Sequence, residues 1–278
     1  MSYKTILMHL NDADRAPQVL AAGVQLAREF QAHLIGLYVF PAFRVRPPVP
    51  VPLAKDVVGR IMSQIREEET RLKDQFNAAT AQQPFVAEWR SVVTEKRDPT
   101  EVVLDHGRAA DLIIASQSDP DWYFTQMLDF PERLAMEAGR PVLLIPKQGV
   151  MQGMPTSITV AWKPCREAAR AVADSMPLLK KAKQVQVLTV DEGEGGREGA
   201  LPDNELANAL ARHDLNVNVT RLPKSANSAG EDIRRRATEQ SEMLVMGAYG
   251  HSRLREMVLG GVTRHMFSRM TIPVLVSH

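Results

Sequence analysis

Residues suited to chemistry concentrate between Met246 and Thr263, which read MGAYGHSRLREMVLGGVT. Gly247 and Gly250 follow an apolar run. Nine residues then lead to Gly260, and Gly261, Val262 and Thr263 open a helical pattern continued by Met266, Phe267 and Met270. Glycine carries no Cβ, so its backbone N–H groups approach an anion closely and converge into a nest. A helix opening at Val262 adds free N–H groups and the positive end of its dipole. Thr263 adds a hydroxyl. These residue types in this order suit a phosphate group. The same glycines also suit two tight turns that hold nothing, and the spacing alone leaves both readings open.

Other signatures are missing. No G-x-x-x-x-G-K-[ST], H-E-x-x-H or G-x-S-x-G occurs, and the glycines of 193–199 fail G-x-G-x-x-G because Glu198 stands at the third glycine. The seven histidines are scattered, with no pair at helical metal spacing, so each reads as a surface or packed residue and no metal site is expected. Cys165 sits at an expected helix start, where a thiolate is stabilised. With no second cysteine, it reads as a small cap residue. Asp191, His251, Arg253 and Arg255 lie near the loops, but none forms a constellation with a base or nucleophile role. No catalytic residue is assigned, and at most slow catalysis is expected.

The elements that must position the glycines come from an internal repeat. Short apolar strands fit 4–10, 33–40, 85–93, 111–116 and 141–145, and again 157–162, 184–190, 216–222, 242–247 and 272–276. Unbroken apolar runs of this length read as strands buried on both faces of a parallel sheet. Helical stripes between them complete βαβ units. The first helix reads from Ala16, Val19, Leu20, Gly23, Leu26, Ala27 and Phe30. The matching one reads from Ala168, Ala169, Val172, Ala173, Met176 and Leu179, and a long amphipathic helix fits 54–80. The chain is thus α/β, two tandem doubly wound five-stranded parallel-sheet domains, 1–150 and 151–278, joined by the turn-rich stretch Lys147–Pro155. In such sheets ligands bind at the carboxyl ends of strands, where these glycines fall. Pro41–Pro52, PAFRVRPPVPVP, reads as extended polyproline-like chain, either a surface connection or a docking segment.

Composition narrows the classes. The chain has 278 residues, 34 Lys plus Arg against 33 Asp plus Glu, and a single cysteine. A near-zero charge argues against a coat for nucleic acid or anionic membrane. One cysteine excludes an internal disulfide framework. No apolar run of about 18 residues is present to span a membrane. The first ten residues carry too short an apolar stretch for a secretory signal, so a cytoplasmic location is expected.

G-x2-G-x9-G followed by a small residue, at this strand–loop–helix position, resembles the universal stress protein family, and two consecutive units resemble its tandem members. The resemblance implies a Rossmann-like, adenine nucleotide α-hydrolase-like fold and an ATP-binding regulatory role in stress response. It places phosphates on Gly247, Gly250, Gly260, Gly261, Val262 and Thr263. Adenine and ribose would lie over Ala161, Trp162, Lys163 and Val190, with Met246 lining the adenine side. Two positions depart from the family's binding members. Gly261 stands where they carry Ser or Thr, and Lys163 where they carry Asp. Lys163 could pair with a phosphate in place of Mg²⁺ or stand solvated. The first half lacks the signature. Ser116–Tyr123 reads SQSDPDWY, with Asp119 and Asp121 set to repel phosphate, and Asn11-Asp12 follows the first strand. One nucleotide per chain is therefore expected, with Trp122 and Tyr123 free to line another pocket. Val274-Leu275-Val276 and Leu143-Leu144-Ile145 are candidate edges for mutual pairing, a fused pseudo-dimer, and a homodimer of whole chains is compatible with it. The alternative function is a protein-interaction module that has lost nucleotide binding, with an unidentified partner. An adenylating ligase ranks last, because neither Asn11–Asp14 nor Lys163–Arg166 resembles a phosphate-handling turn.

Overall fold

The computed structural model describes residues 2–42, 51–119, 121, 128, 130–149, 151, 153–190, 204–223, 228–248 and 262–278, without the side chains of 51–56. In the first half, the elements are β1 (Thr5–His9), α1 (Ala16–Phe30), β2 (His33–Pro41), α2 (Val51–Thr80), β3 (Ala87–Thr94), α3 (Pro99–Arg108), β4 (Leu112–Ser116), α4 (Pro131–Glu137) and β5 (Val142–Ile145). In the second half, they are β6 (Ser157–Ala161), α5 (Arg166–Leu179), β7 (Gln184–Val190), α6 (Asn204–Ala211), β8 (Val217–Leu222), α7 (Ala229–Gln240), β9 (Met243–Gly247), α8 (Val262–Arg269) and β10 (Val274–Ser277).

All ten described strands form one sheet in the order β3-β2-β1-β4-β5-β10-β9-β6-β7-β8. Every neighbour pairs in parallel except at the centre. There β5 and β10 run antiparallel, with Leu143 opposite Leu275 and Leu144 opposite Val274. The two expected edges therefore cover each other, and two five-stranded units merge into a continuous sheet. Their apolar runs make the reason plain. Val142–Ile145 and Val274–Val276 are each at most 1% exposed, and an uncovered apolar edge invites outside strands.

One face of the sheet packs against α1, α2, α5 and α6, and the other against α3, α4, α7 and α8. The α1 stripe falls as the spacing predicts, with Ala16, Val19, Leu20, Gly23, Leu26, Ala27 and Phe30 all buried. The α5 stripe does so only in part, with Ala168, Val172 and Leu179 buried and Met176 partly buried. Ala169 and Ala173 face solvent, and the buried set is Glu167, Ala168, Ala171, Val172, Ser175, Pro177, Leu178 and Leu179. Alanines stand on both faces, so these small residues do not mark the inward side.

The expected polyproline segment is shortened at both ends. Pro41 ends β2 and Val51-Pro52 open α2. Proline's missing N–H costs nothing in a helix's first turn. The intervening 43–50, like the loop 191–199, lies outside the described residues. Among the described residues no helix is long and apolar enough to cross a membrane.

Candidate functional site

Each half has a topological switch point, where the strand order reverses and a crevice opens beyond the carboxyl ends of two strands. In the first half it lies between β1 and β4, in the second between β6 and β9. The pairing registers make His9 the counterpart of Ala161, and Ser116 the counterpart of Gly247.

At the β6–β9 crevice, Ala161 pairs directly with Met246 and the neighbouring strand supplies Val190. These three pack on the same side of the sheet, the side carrying α7 and α8. Trp162 is not with them. Its ring packs into the core of the opposite face, while its backbone N–H donates to Leu188 O at 2.8 Å. Lys163 is exposed just beyond. Val262 rests partly buried on the α7/α8 side, and Thr263 is buried, 3% exposed. The start of α8 is set close to α7 through Gly230, where a Cβ would come 3.2 Å from Val262 Cα and 3.2 Å from His265 Cβ. Gly250, Gly260 and Gly261 lie outside the described residues, as do His251, Arg253, Arg255 and Asp191.

Gly247 has a structural reason to be glycine. A Cβ there would stand 2.5 Å from Ala168 N and 2.9 Å from Glu167 Cβ. The end of β9 thus presses on the first turn of α5. That turn holds a residue the sequence reading passed over. Glu167 is only 8% exposed, and Arg166 reaches its Oε1 at 3.0 Å. Burial alone would raise its carboxyl. Its own backbone N–H, the Cys165 thiol and Arg166 outweigh that and hold it below the usual range. An acid in a helix's first turn is a standard start signal, so its position, though not its burial, was readable. This carboxylate faces the positive end of the α5 dipole. Cys165 is the N-cap of α5 with extended backbone. Burial, with Glu167 nearby, pushes its thiol up, so it is a packed cap residue and not an activated nucleophile.

The β1–β4 crevice is built differently. The His9 ring stacks on Phe130 with centroids 5.0 Å apart and planes 27° apart. Phe130 immediately precedes α4, as Gly261 immediately precedes α8. Asn11 Nδ2 donates to Leu128 O at 2.7 Å, and Arg15 bonds Asp12 Oδ2 at 3.1 Å and Gln117 O at 2.8 Å. Asp119 is ion-paired with Lys147 at 2.5 Å. Side chains of the chain itself therefore fill the place where the other half has Ala161 and Gly247. Trp122 and Tyr123 lie outside the described residues. Among the described residues, no group of three or more His, Cys, Asp or Glu gathers to hold a metal.

The model of the universal stress protein family matches residues 158–278. Those residues belong to the universal stress protein family. The whole chain has the fold of a universal stress protein from Archaeoglobus fulgidus DSM 4304, at a TM-score of 0.71 and 15% identity, covering 98% of this chain and 95% of that one. A functionally unknown protein from Pseudomonas aeruginosa PAO1 aligns at a TM-score of 0.57 and 14% identity, over 99% of this chain and 92% of its own. A universal stress protein family member from Burkholderia pseudomallei is 27% identical over 52% of this chain and 96% of its own, at a TM-score of 0.39. No curated protein sequence matches the chain. The universal stress protein region thus coincides with the half that has Ala161 and Gly247 where the other has His9 and Ser116.

Proposed function

We propose that the chain is a nucleotide-binding regulatory protein, with one adenine nucleotide, ATP in the first instance, held in the β6–β9 crevice. The observation that carries this reading is the contrast between the two switch points. His9 stacks on Phe130 in one half, and Ala161 stands at the register position of His9 in the other. The residues present fit the group at its base end, where Ala161, Met246 and Val190 offer an apolar floor. The phosphates then belong at the start of α8, with Thr263 and the glycines before it. Lys163 stands at the crevice mouth as a cation for the phosphate chain, so affinity depends little on Mg²⁺. No residue is placed as a general base, so the nucleotide is a bound signal and not a substrate turned over quickly.

Thermal unfolding with and without ATP tests this. A ligand at about 100 times its Kd stabilises a native state it alone binds by roughly 2.7 kcal/mol. Gly261→Phe, which copies the first half's aromatic into the second, should remove the shift while the protein stays folded. Titration calorimetry should give one site per chain. No shift in the unaltered protein, or a stoichiometry near two, would refute the reading. The first result would favour a protein-interaction module, a role consistent with the carboxylate at Glu167 and with Gly261 in place of a hydroxyl residue.

A further inference from the structure

The second half carries another opening, at the starts of β6 and β7, remote from the carboxyl-end crevice. A cleft of about 250 Å³ lies beside the last turn of α7, walled chiefly by Gln184, Gln186, Asn218, Thr220, Gln240 and Ser241. No Lys, Arg, His, Asp or Glu lines it.

The same place in the first half is filled. Register equates Thr159 and Gln186 with Leu7 and Ile35, and Asn218 and Thr220 with Glu88 and Arg90. Leu7 and Ile35 are buried. Arg90 bonds both oxygens of Glu88, at 2.8 and 2.9 Å, and extends to His106 Nδ1 at 3.2 Å. In the second half short amides and hydroxyls replace those long side chains, and the volume is left open.

Polar groups on a sheet face beneath a helix are costly unless bonded, and the floor of this cleft is bonded. Thr159, fully buried, shares a hydrogen bond with Ser241 Oγ at 2.6 Å and donates to Gln186 Oε1 at 3.3 Å. Gln186 in turn donates to Thr220 Oγ1 at 2.8 Å. That chain fixes the orientation of the Gln186 amide. The side-chain amides of Gln184, Asn218 and Gln240, on the walls, have no hydrogen-bond partner among the described residues.

We propose that this cleft binds a neutral, polyhydroxylated small molecule of monosaccharide size, independently of the nucleotide crevice. Each wall amide both donates and accepts, as each sugar hydroxyl does. A charged solute would lose water here and meet no counter-charge. The volume falls below the roughly 300–1,000 Å³ of sites for drug-sized ligands, so the occupant is small.

The test is a titration of the ¹⁵N-labelled full chain with D-glucose, read at the side-chain amides of Gln184, Gln186, Asn218 and Gln240. The expected result is saturable shifts confined to the cleft, with Asn218→Ala weakening binding about fivefold, the loss of one neutral hydrogen bond. Asn218 is exposed on the outermost strand, so this variant tests contact without disturbing the core. Gln186→Leu, which restores the first half's apolar character, should abolish the shifts. Shifts that stay linear to tens of millimolar would overturn the proposal. So would unchanged affinity in Asn218→Ala, or equal affinity for D-glucuronate, which keeps the ring and adds a carboxylate.

Discussion

His9 should make the protein acid-sensitive, and the size of the effect follows from its surroundings. The ring is 3% exposed and stacked on Phe130. Its Nε2 has no hydrogen-bond partner among the described residues. Burial first, and the Arg15 guanidinium second, lower its pKa from 6.5 to about 3. Protonation is therefore easier in the unfolded chain than in the folded one. The contribution of a neutral His9 is complete above about pH 6.5 and is lost progressively as pH falls toward 3. Between pH 7 and pH 5 the linkage amounts to about 2 kcal/mol. For a chain of this length that lowers the melting temperature by roughly 3–4 °C. Other groups titrate over the same range, so the measurement is a difference. Denaturant unfolding of the unaltered protein and of His9→Leu, each at both pH values, should show the extra acid loss only in the former. Equal pH dependence in the two proteins would refute the argument. So would a His9 imidazole NMR signal titrating near pH 6.5 in the folded state.

Two further outcomes follow from local geometry. Gly247→Ala forces a Cβ to within 2.5 Å of the α5 backbone at Ala168, and overpacking two regular elements should cost about 1–3 kcal/mol. Denaturant unfolding without ligand checks it, and a loss below about 0.5 kcal/mol, the range of ordinary surface changes, would show that the contact relaxes freely. Cys165, with its thiol pushed up by burial, should react with a disulfide reagent at mildly alkaline pH more slowly than a free cysteine peptide of pKa about 8.5. Denaturant should remove the difference, and a rate above the peptide's would contradict the packed-cap reading.

Most of the fold was legible because its strands are unbroken apolar runs, and every strand boundary falls within two residues of its expected place. The central seam was legible for the same reason, since two short runs of Val, Leu and Ile with no other cover must meet. The buried side of α5 was not, because Ala169 and Ala173 look as inward as Ala168 and Ala171 until the sheet is present. Of the candidate site, Gly250, Gly260 and Gly261 lie outside the described residues, whereas the neighbourhood of Ala161 and Met246 was readable, because sequence position ties both to strand ends. Placing Trp162 beside them failed because successive residues of an extended chain point to opposite faces. The His9–Phe130 stack was beyond reach. It joins residues far apart in the chain, and nothing local to either announces the other. Gly247 carried a double meaning, since a close helix contact and a phosphate turn both demand the same residue.

The seam between β5 and β10 also sets a clock on the ribosome. Ile145 and Val274 stand 129 residues apart in the chain, so at about 5–20 residues per second β5 waits roughly 6–25 s for its partner. During that interval the first unit is complete apart from one open apolar edge, Val142–Ile145. Any other β-strand nearby, including the same strand on a neighbouring nascent chain, competes for it. The chain's most vulnerable moment is thus the pause between its two halves.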